Sequence, residues 1–508
     1  MARDLAATAL AVRPLVTAQE GFPELERLFL TAQREIWAGF RIFDLDTRLR
    51  SPEGALVGET WFDLLVHRLK AGVAVHFLLA DFDPNLVTYI HAGTARSARR
   101  FREAGLAAGG GLQFSAALHP ARAGLFWRLA LWPLCIYRLR KGLAARADPR
   151  GFLRDSVRLR RRVRLGEDGK PVISRRPMPH IRPGSYHQKL AVFDRETLFI
   201  GGLDVDERRW DDLEHRRPAA YTWQDVSVVT RQEKAVAAAQ AHLEALWDPD
   251  RPIPPPAPPL IRTLSCDASR NPFRLTPKTV ARENEEAHVA LFEKARRLIY
   301  IETQFLRSTP ISRALVRAAR CNPDLSVIIM LPAAPEEVAF ENSAAMDARY
   351  GEWLQIRALR RIRRAFGARA FVGMPLRRVP RESDGRDTAL GADIVYIHSK
   401  VAIADDTQAI VTSANLNGRG MRWDTEVGLV IDDDPSVAHL RRRLFEHWLP
   451  AGAAERYHDL TSATAAWAAL AEANARRLPL DREGFIAPYD PRPAERFGVP
   501  FPAPEAVV

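Results

Sequence analysis

One spaced string of residues occurs twice in this chain, and its recurrence limits the fold more than any other feature. His187, Lys189, Ala191 and Asp194 return as His398, Lys400, Ala402 and Asp405, all at one offset of 211 residues, and Asp204 meets Asn415 at that offset without a gap. With 13 histidines, eight lysines and at most 62 acids in 508 residues, a single HxKxxxxD string is expected by chance about 0.02 times. Two in register mark an internal duplication, so the chain should fold as two similar halves. A chain of 508 residues also exceeds the size at which one hydrophobic core keeps growing.

The flanking segments predict what each half is made of. The helical pattern ELERLFLTAQREI leads into the strand-like WAGFRIFDL, then a second helix, then the apolar run VAVHFLLADF. The order recurs as NEEAHVALFEKARR, LIYIETQFL, a helix and LSVIIMLPAA. Helices alternating with fully apolar strands predict an α/β fold, and the duplication makes it two duplicated α/β sandwich halves with mixed sheets, pseudo-two-fold related. The boundaries read as 15–248 for the first half, 249–260 for a proline-rich linker (PDRPIPPPAPPL), 261–450 for the second half and 451–508 for a C-terminal helix and Pro-rich tail. That tail is expected to wrap over the body or stay mobile.

Residues two apart on a strand share a face, so each His and Lys should project into one cavity while Gln188 or Ser399 points away. LAVF and VAIA, which follow, read as buried strand that would hold the pair. Lysine at both positions, in a chain that uses arginine almost everywhere else, suits a point contact with a phosphate oxygen.

HQKLAVFD followed by FIGGLDVDERRWDD, WQDVSVV, IYIETQF, YIHSKVAIADD, TSANLN and DTEVGLV resembles the ordered motif set of phospholipase D, closest in style to the eukaryotic enzymes and their bacterial relatives. The resemblance spans roughly residues 25 to 450. Departures are Thr412 where Gly is usual, Thr303 where Asn is usual, and no match to the accessory lipid-targeting domains. It implies a phosphoric diester hydrolase whose active site lies at the interface of the two halves, with His187 as nucleophile and His398 as general acid and then base, through a phosphohistidine. Lys189, Lys400, Asn415 and Ser413 would hold the phosphoryl oxygens. Asp225 and Glu426 occupy the positions that orient the histidines. Asp194 and Asp405 belong to the catalytic motif but are expected to bind neighbouring backbone or lysine. No cofactor and no metal are expected.

The implied reaction releases phosphatidic acid from a glycerophospholipid such as phosphatidylcholine, with water or an alcohol as acceptor. A cardiolipin synthase-like phosphatidyltransferase would use the same residues, a nuclease of the superfamily is a second alternative, and an inactive lipid-binding protein a third. Nucleic acid is disfavoured as a partner because nucleases of this kind usually carry one motif.

Charge points to a partner. From Arg138 to Arg182 there are 15 basic and 4 acidic residues, so one segment carries nearly all of the formal +12. A basic insertion at about 120–182, preceded by LFWRLALWPLCIYRLRK, suits an anionic membrane surface, docked through 138–182. The N-terminus reads as lacking a cleavable signal, and no run of 18 apolar residues occurs. Cys135, Cys266 and Cys321 form no CxxC pair, which fits a reducing compartment. The expected location is cytoplasmic and peripheral on the membrane.

Overall fold

The computed structural model describes residues 10–144, 148–160, 162–167, 170–174, 176, 178, 180–248 and 250–508. Pro249 of the linker and Arg146, Arg161 and Arg175 of the basic run lie outside the described residues. The first half contributes β1 (Val12–Val16), β2 (Glu35–Phe40), β3 (Ala74–Asp81), β4 (Leu112–Leu118), β5 (Val163–Leu165), β6 (Pro171–Ile173), β7 (Leu190–Phe193), β8 (Thr197–Gly201) and β9 (Val226–Thr230). Seven of these form a mixed sheet in the order β1-β9-β8-β7-β2-β3-β4, and β5 pairs with β6 apart from it. The second half contributes β10 (Leu260–Cys266), β11 (Lys278–Arg282), β12 (Leu298–Thr303), β13 (Ser326–Met330), β14 (Ala370–Pro380), β15 (Thr388–Ala389), β16 (Ala392–Ile394), β17 (Lys400–Ala404), β18 (Gln408–Thr412), β19 (Glu426–Ile431) and β20 (Ile486–Pro488). They form one sheet in the order β11-β10-β19-β18-β17-β12-β13-β14-β16-β15, with β20 also on β14.

The duplication is visible in strand order, since β9-β8-β7-β2-β3-β4 reappears as β19-β18-β17-β12-β13-β14. Ala38 pairs with Ala191, 153 residues on, whereas Ile301 pairs with Ala402 only 101 residues on. The difference is the basic insertion, which therefore leaves the sheet intact.

Period-two alternation explains how the halves pack. Leu190 and Val192 of β7 join Val401 and Ile403 of β17 in one buried cluster between the sheets. Ala191 and Phe193 face outward against Phe29, Phe77 and Trp61, and Ala402 and Ala404 face outward against Leu315 and Ile362. A one-residue slip of either strand would exchange those faces, so the buried cluster fixes the register. Each buried branched side chain contributes about 1.5–3 kcal/mol, so the shared cluster holds the two halves as one body.

Two local expectations change, the tail takes the first of its two alternatives, and the basic segment is partly tied down. The helix read over 24–36 runs Thr17–Thr31, because Glu35 and Ile36 pair with β3 as strand. His187 and Gln188 precede β7, and Lys400 begins β17, so the histidines stand just before the strands that hold their motifs. The tail packs down: β20 extends the sheet, and Val508 is buried against Tyr350 and Leu354. The basic segment is not all solvated, since Arg158 Nε donates to Asp81 Oδ2 at 2.6 Å, Arg162 is buried, and the Arg182 backbone N–H donates to Asp83 at 2.7 Å. These contacts seat the insertion over the carboxyl end of β3.

Candidate active site

The two motifs meet where chain segments cross between halves. Tyr186 bridges Thr425, and Gln224 bridges Ile397, each in parallel. His187 N–H donates to Thr425 O at 2.9 Å and His398 N–H to Gln224 O at 2.8 Å. The residue before each histidine thus lies beside the residue before a carboxylate of the other half.

The consequence is a crossed pairing. His187 Nδ1 lies 3.0 Å from Glu426 Oε2, and His398 Nδ1 lies 2.7 Å from Asp225 Oδ2. With Nδ1 held by a carboxylate, Nε2 is the ring nitrogen left for chemistry. Both carboxylates are buried. Trp223 packs against His398, with ring centroids 4.6 Å apart.

The intervening residues point away. Gln188 Oε1 lies 2.9 Å from His242 Nε2, and Ser399 Oγ donates to Glu302.

The lysines are buried beside their histidines. Lys189 Nζ donates to His187 O at 2.6 Å and lies 3.6 Å from Asp204 Oδ2. Lys400 Nζ donates to His398 O and lies 3.0 Å from His398 Nδ1. The Asp204/Asn415 difference between the copies matters here: a carboxylate beside Lys189 offsets its charge, whereas Asn415 has an amide group. Asn415 is buried, with Oδ1 making no hydrogen bond.

Burial, followed by the charges of Lys189, Arg41, Lys400 and Arg419, holds His187 well below the usual histidine range. His398 is depressed by burial, then by Lys400, Lys189, Arg209 and His187 itself. Burial lifts Asp225 to about 6 and lowers Lys400 to about 7, while Glu426 is pushed well above a normal carboxylate. The physical sense is shared: a closed site resists isolated charge and favours neutral imidazole until an anion arrives.

Asp194 and Asp405 bind backbone, as expected of them, and Ser413 takes another position. Asp194 accepts from the backbone N–H groups of Gln33, Arg34 and Glu35 at 2.7–2.9 Å, and Asp405 from those of Arg296, Arg297 and Leu298 at 2.8–2.9 Å. Both aspartates therefore pin the starts of β2 and β12 and do not face the histidines, which corrects their grouping with the catalytic residues. Both have φ of 54°, in the left-handed region that aspartate tolerates. Ser413 Oγ donates to Glu426 Oε2 at 2.6 Å, so it supports the orienting carboxylate rather than presenting its hydroxyl to a phosphate.

Sequence reasoning missed Arg41, Arg209 and Arg419, whose charges act on the histidines. Arg41 directly follows β2 and lines a cleft of about 460 Å³ with Tyr89, Arg96, Asp206 and Arg208. Its position at a strand's carboxyl end was the available signal.

A family model described as "Cardiolipin synthase, PLD-like domain" matches residues 289–448, which contain His398, Lys400, Asn415 and Glu426. Phospholipase D2 of Bos taurus is 24% identical over 50% of this chain and 39% of its own length. These matches support membership of the phospholipase D superfamily.

Phospholipase D1 of Schizosaccharomyces pombe is 24% identical over 50% of this chain and 25% of its own, and phospholipase D1 of Homo sapiens 27% over 30% and 16%. The matched segments thus span well under half of these superfamily members. Phosphatidylserine synthase of Haemophilus influenzae Rd KW20 is a similar solved structure, with a TM-score of 0.46, 12% identity and 85% of both chains covered. Among the described residues no helix is long and apolar enough to cross a membrane, and no group of three or more His, Cys, Asp or Glu could hold a metal ion.

Proposed function

We propose that this protein cleaves the phosphatidyl diester of a glycerophospholipid through a phosphohistidine on His187. The observation that carries the reading is the crossed arrangement, in which two carboxylate-held imidazoles and two buried lysines from different halves share one site. A diester anion entering between the lysines supplies the charge the site lacks. The lysines and Asn415 hold its non-bridging oxygens, neutral His187 Nε2 attacks phosphorus, and the P–O bond to the head-group alcohol breaks. His398 gives that alkoxide its proton, then takes one from water as the water displaces His187 and forms phosphatidic acid. Its depressed basicity rises as the dianionic transition state develops beside it.

An alcohol in place of water gives transfer, so a cardiolipin synthase-like phosphatidyltransferase is the second reading, favoured by the family-model match.

Substrate in a bilayer requires a docking face. Leu125, Phe126, Leu129, Leu134 and Tyr137 are exposed on the helices Leu125–Ala130 and Trp132–Ala144, and Phe273 of the second half packs against Phe126. Exposed Arg140, Lys141 and Arg164 belong to the same insertion. Apolar wedges among bases suit an anionic lipid surface.

The test is incubation of purified protein with mixed phospholipid vesicles and mass spectrometry of the products. Phosphatidic acid with released head groups is expected. Intact lipid alongside cleaved nucleic acid would overturn the reading.

A further inference from the structure

Arg307 is a buried cation with no ion-pair partner among the described residues. Its side chain is 4% exposed, and neither Nε nor Nη2 has a hydrogen bond. Buried polar groups are nearly always paired, so an unpaired guanidinium calls for a cause.

Its surroundings hold it in one pose. The guanidinium carbon lies 3.8 Å from the centre of the Phe305 ring. On helix Met346–Phe366 a Cβ at Gly351 would meet that carbon at 2.5 Å, so only glycine leaves room for the group. The two unpaired nitrogens, Nε and Nη2, form one edge of the planar fork. That edge presents two parallel N–H bonds, which is the geometry that takes a carboxylate or phosphate bidentately.

The neighbouring acids do not fill this edge. Glu352 Oε1 is paired with Arg386 at 2.5 Å, and its Oε2 makes no hydrogen bond to Arg307. Glu337 acts on Arg307 through space, without a hydrogen bond to it, and burial raises its carboxyl toward the neutral form. Asp347 is exposed at the start of its helix and acts on both Arg307 and Arg419.

Arg307 also belongs to the active-site end of the fold. It follows β12, its N–H donates to Leu416 O at 2.8 Å, and Asn415 is the next residue back along that segment. Arg419, on which Asp347 also acts, acts in turn on His187.

We propose that Arg307 is a specificity-determining residue which binds a second anionic group, carboxylate or phosphate, on the alcohol portion of the substrate or acceptor. This rests on the phosphodiester site proposed above and names the class of alcohol it takes. The diester occupies the lysines and Asn415, and the alcohol's own anion completes the guanidinium edge. Neutral and purely cationic alcohols leave that edge empty.

The test compares phosphatidylserine with phosphatidylcholine, at equal mole fraction in neutral detergent micelles so that surface charge does not select. Wild type should favour phosphatidylserine. Arg307→Met should lower kcat/KM for it by about 10-fold or more while changing phosphatidylcholine by less than about 3-fold. Gly351→Ala, which displaces the guanidinium, should reproduce this loss of preference, and Arg307→Lys should restore it in part. In the acceptor arm, transfer to L-serine should exceed transfer to ethanolamine only while Arg307 is present.

A preference unchanged in Arg307→Met, or a lowered Tm with both lipids equally affected, would reduce Arg307 to a packing residue and overturn the proposal. A binding measurement separates this from failure of the lipid reading. By calorimetry, wild type should bind O-phospho-L-serine about 10-fold more tightly than phosphocholine, and Arg307→Met should erase the difference. Equal affinities in wild type would overturn the proposal whether or not any lipid is cleaved.

Discussion

Glu426→Gln tests the crossed pairing directly. The substitution is nearly isosteric, but it replaces one oxygen of a carboxylate that faces His187 Nδ1 from both atoms, at 2.9 and 3.0 Å, and accepts Ser413 Oγ at 2.6 Å. Losing a hydrogen bond to a charged group costs about 1.5–3 kcal/mol, which is about 10- to 150-fold in kcat/KM. The loss grows if the new amide donates to Nδ1, because the ring proton then moves to Nε2 and the attacking lone pair is gone. Ser413→Ala removes a bond made only to Glu426 and its neighbouring backbone, and should cost about 2- to 13-fold. Since Ser413 acts on His187 through Glu426, Ser413→Ala should cost little further in the Glu426→Gln background but its full factor beside Asp225→Asn. Rates on a soluble short-chain phosphatidylcholine, with a thermal melt of each variant, complete the cycle. Equal factors for Ser413→Ala in all three backgrounds would refute the assignment of Glu426 to His187.

The remaining expectations are briefer. His187→Ala and His398→Ala should each lower turnover by about 10²–10⁴, since each removes a chemical role, and near-normal activity in either would exclude a shared site. Ethanol should divert product to phosphatidylethanol in a ratio independent of the head group expelled, because both products arise from one intermediate; a ratio that follows the leaving group would mean direct attack by water. In a pH profile of kcat/KM, protonation of Asp225 on falling through about 6 removes the acceptor that holds His398, and loss of the Lys400 proton on rising through about 7 removes a cation. Activity should therefore peak between them, and Lys400→Arg should move the alkaline limb upward; an unmoved limb would acquit Lys400. Joint substitution of Arg140, Lys141 and Arg164 by Glu should weaken sedimentation with anionic vesicles by about 1 kcal/mol per base while sparing the short-chain substrate, and unchanged sedimentation would place the docking face elsewhere.

The repeat and its spacing were legible because a duplication repeats residue identity, and strand alternation ties each lysine to its histidine. β3, β12 and β13 were legible because buried parallel strands are continuous apolar runs. The crossing was not, since periodicity reports which residues share a face of one element and is silent on which half's carboxylate reaches over. Charge counting failed for a similar reason: it treats Arg158 and Arg140 alike, although one is tied to Asp81 and the other is exposed. Arg307 carries no local signal at all, because its burial depends on Phe305 and on Gly351, 44 residues further on. Ser413 was placed on the phosphate because a hydroxyl beside a motif names no partner.

The exchange of carboxylates between halves has a bearing on biosynthesis. A ribosome-bound chain that has released only its first half carries His187 with no Glu426 to hold it, and Asp225 with no His398 to serve. Neither motif is a working fragment during translation, however well its own sheet has formed. On the proposed function, activity needs docking of the second half, so a first half alone beside a membrane should leave its lipids intact.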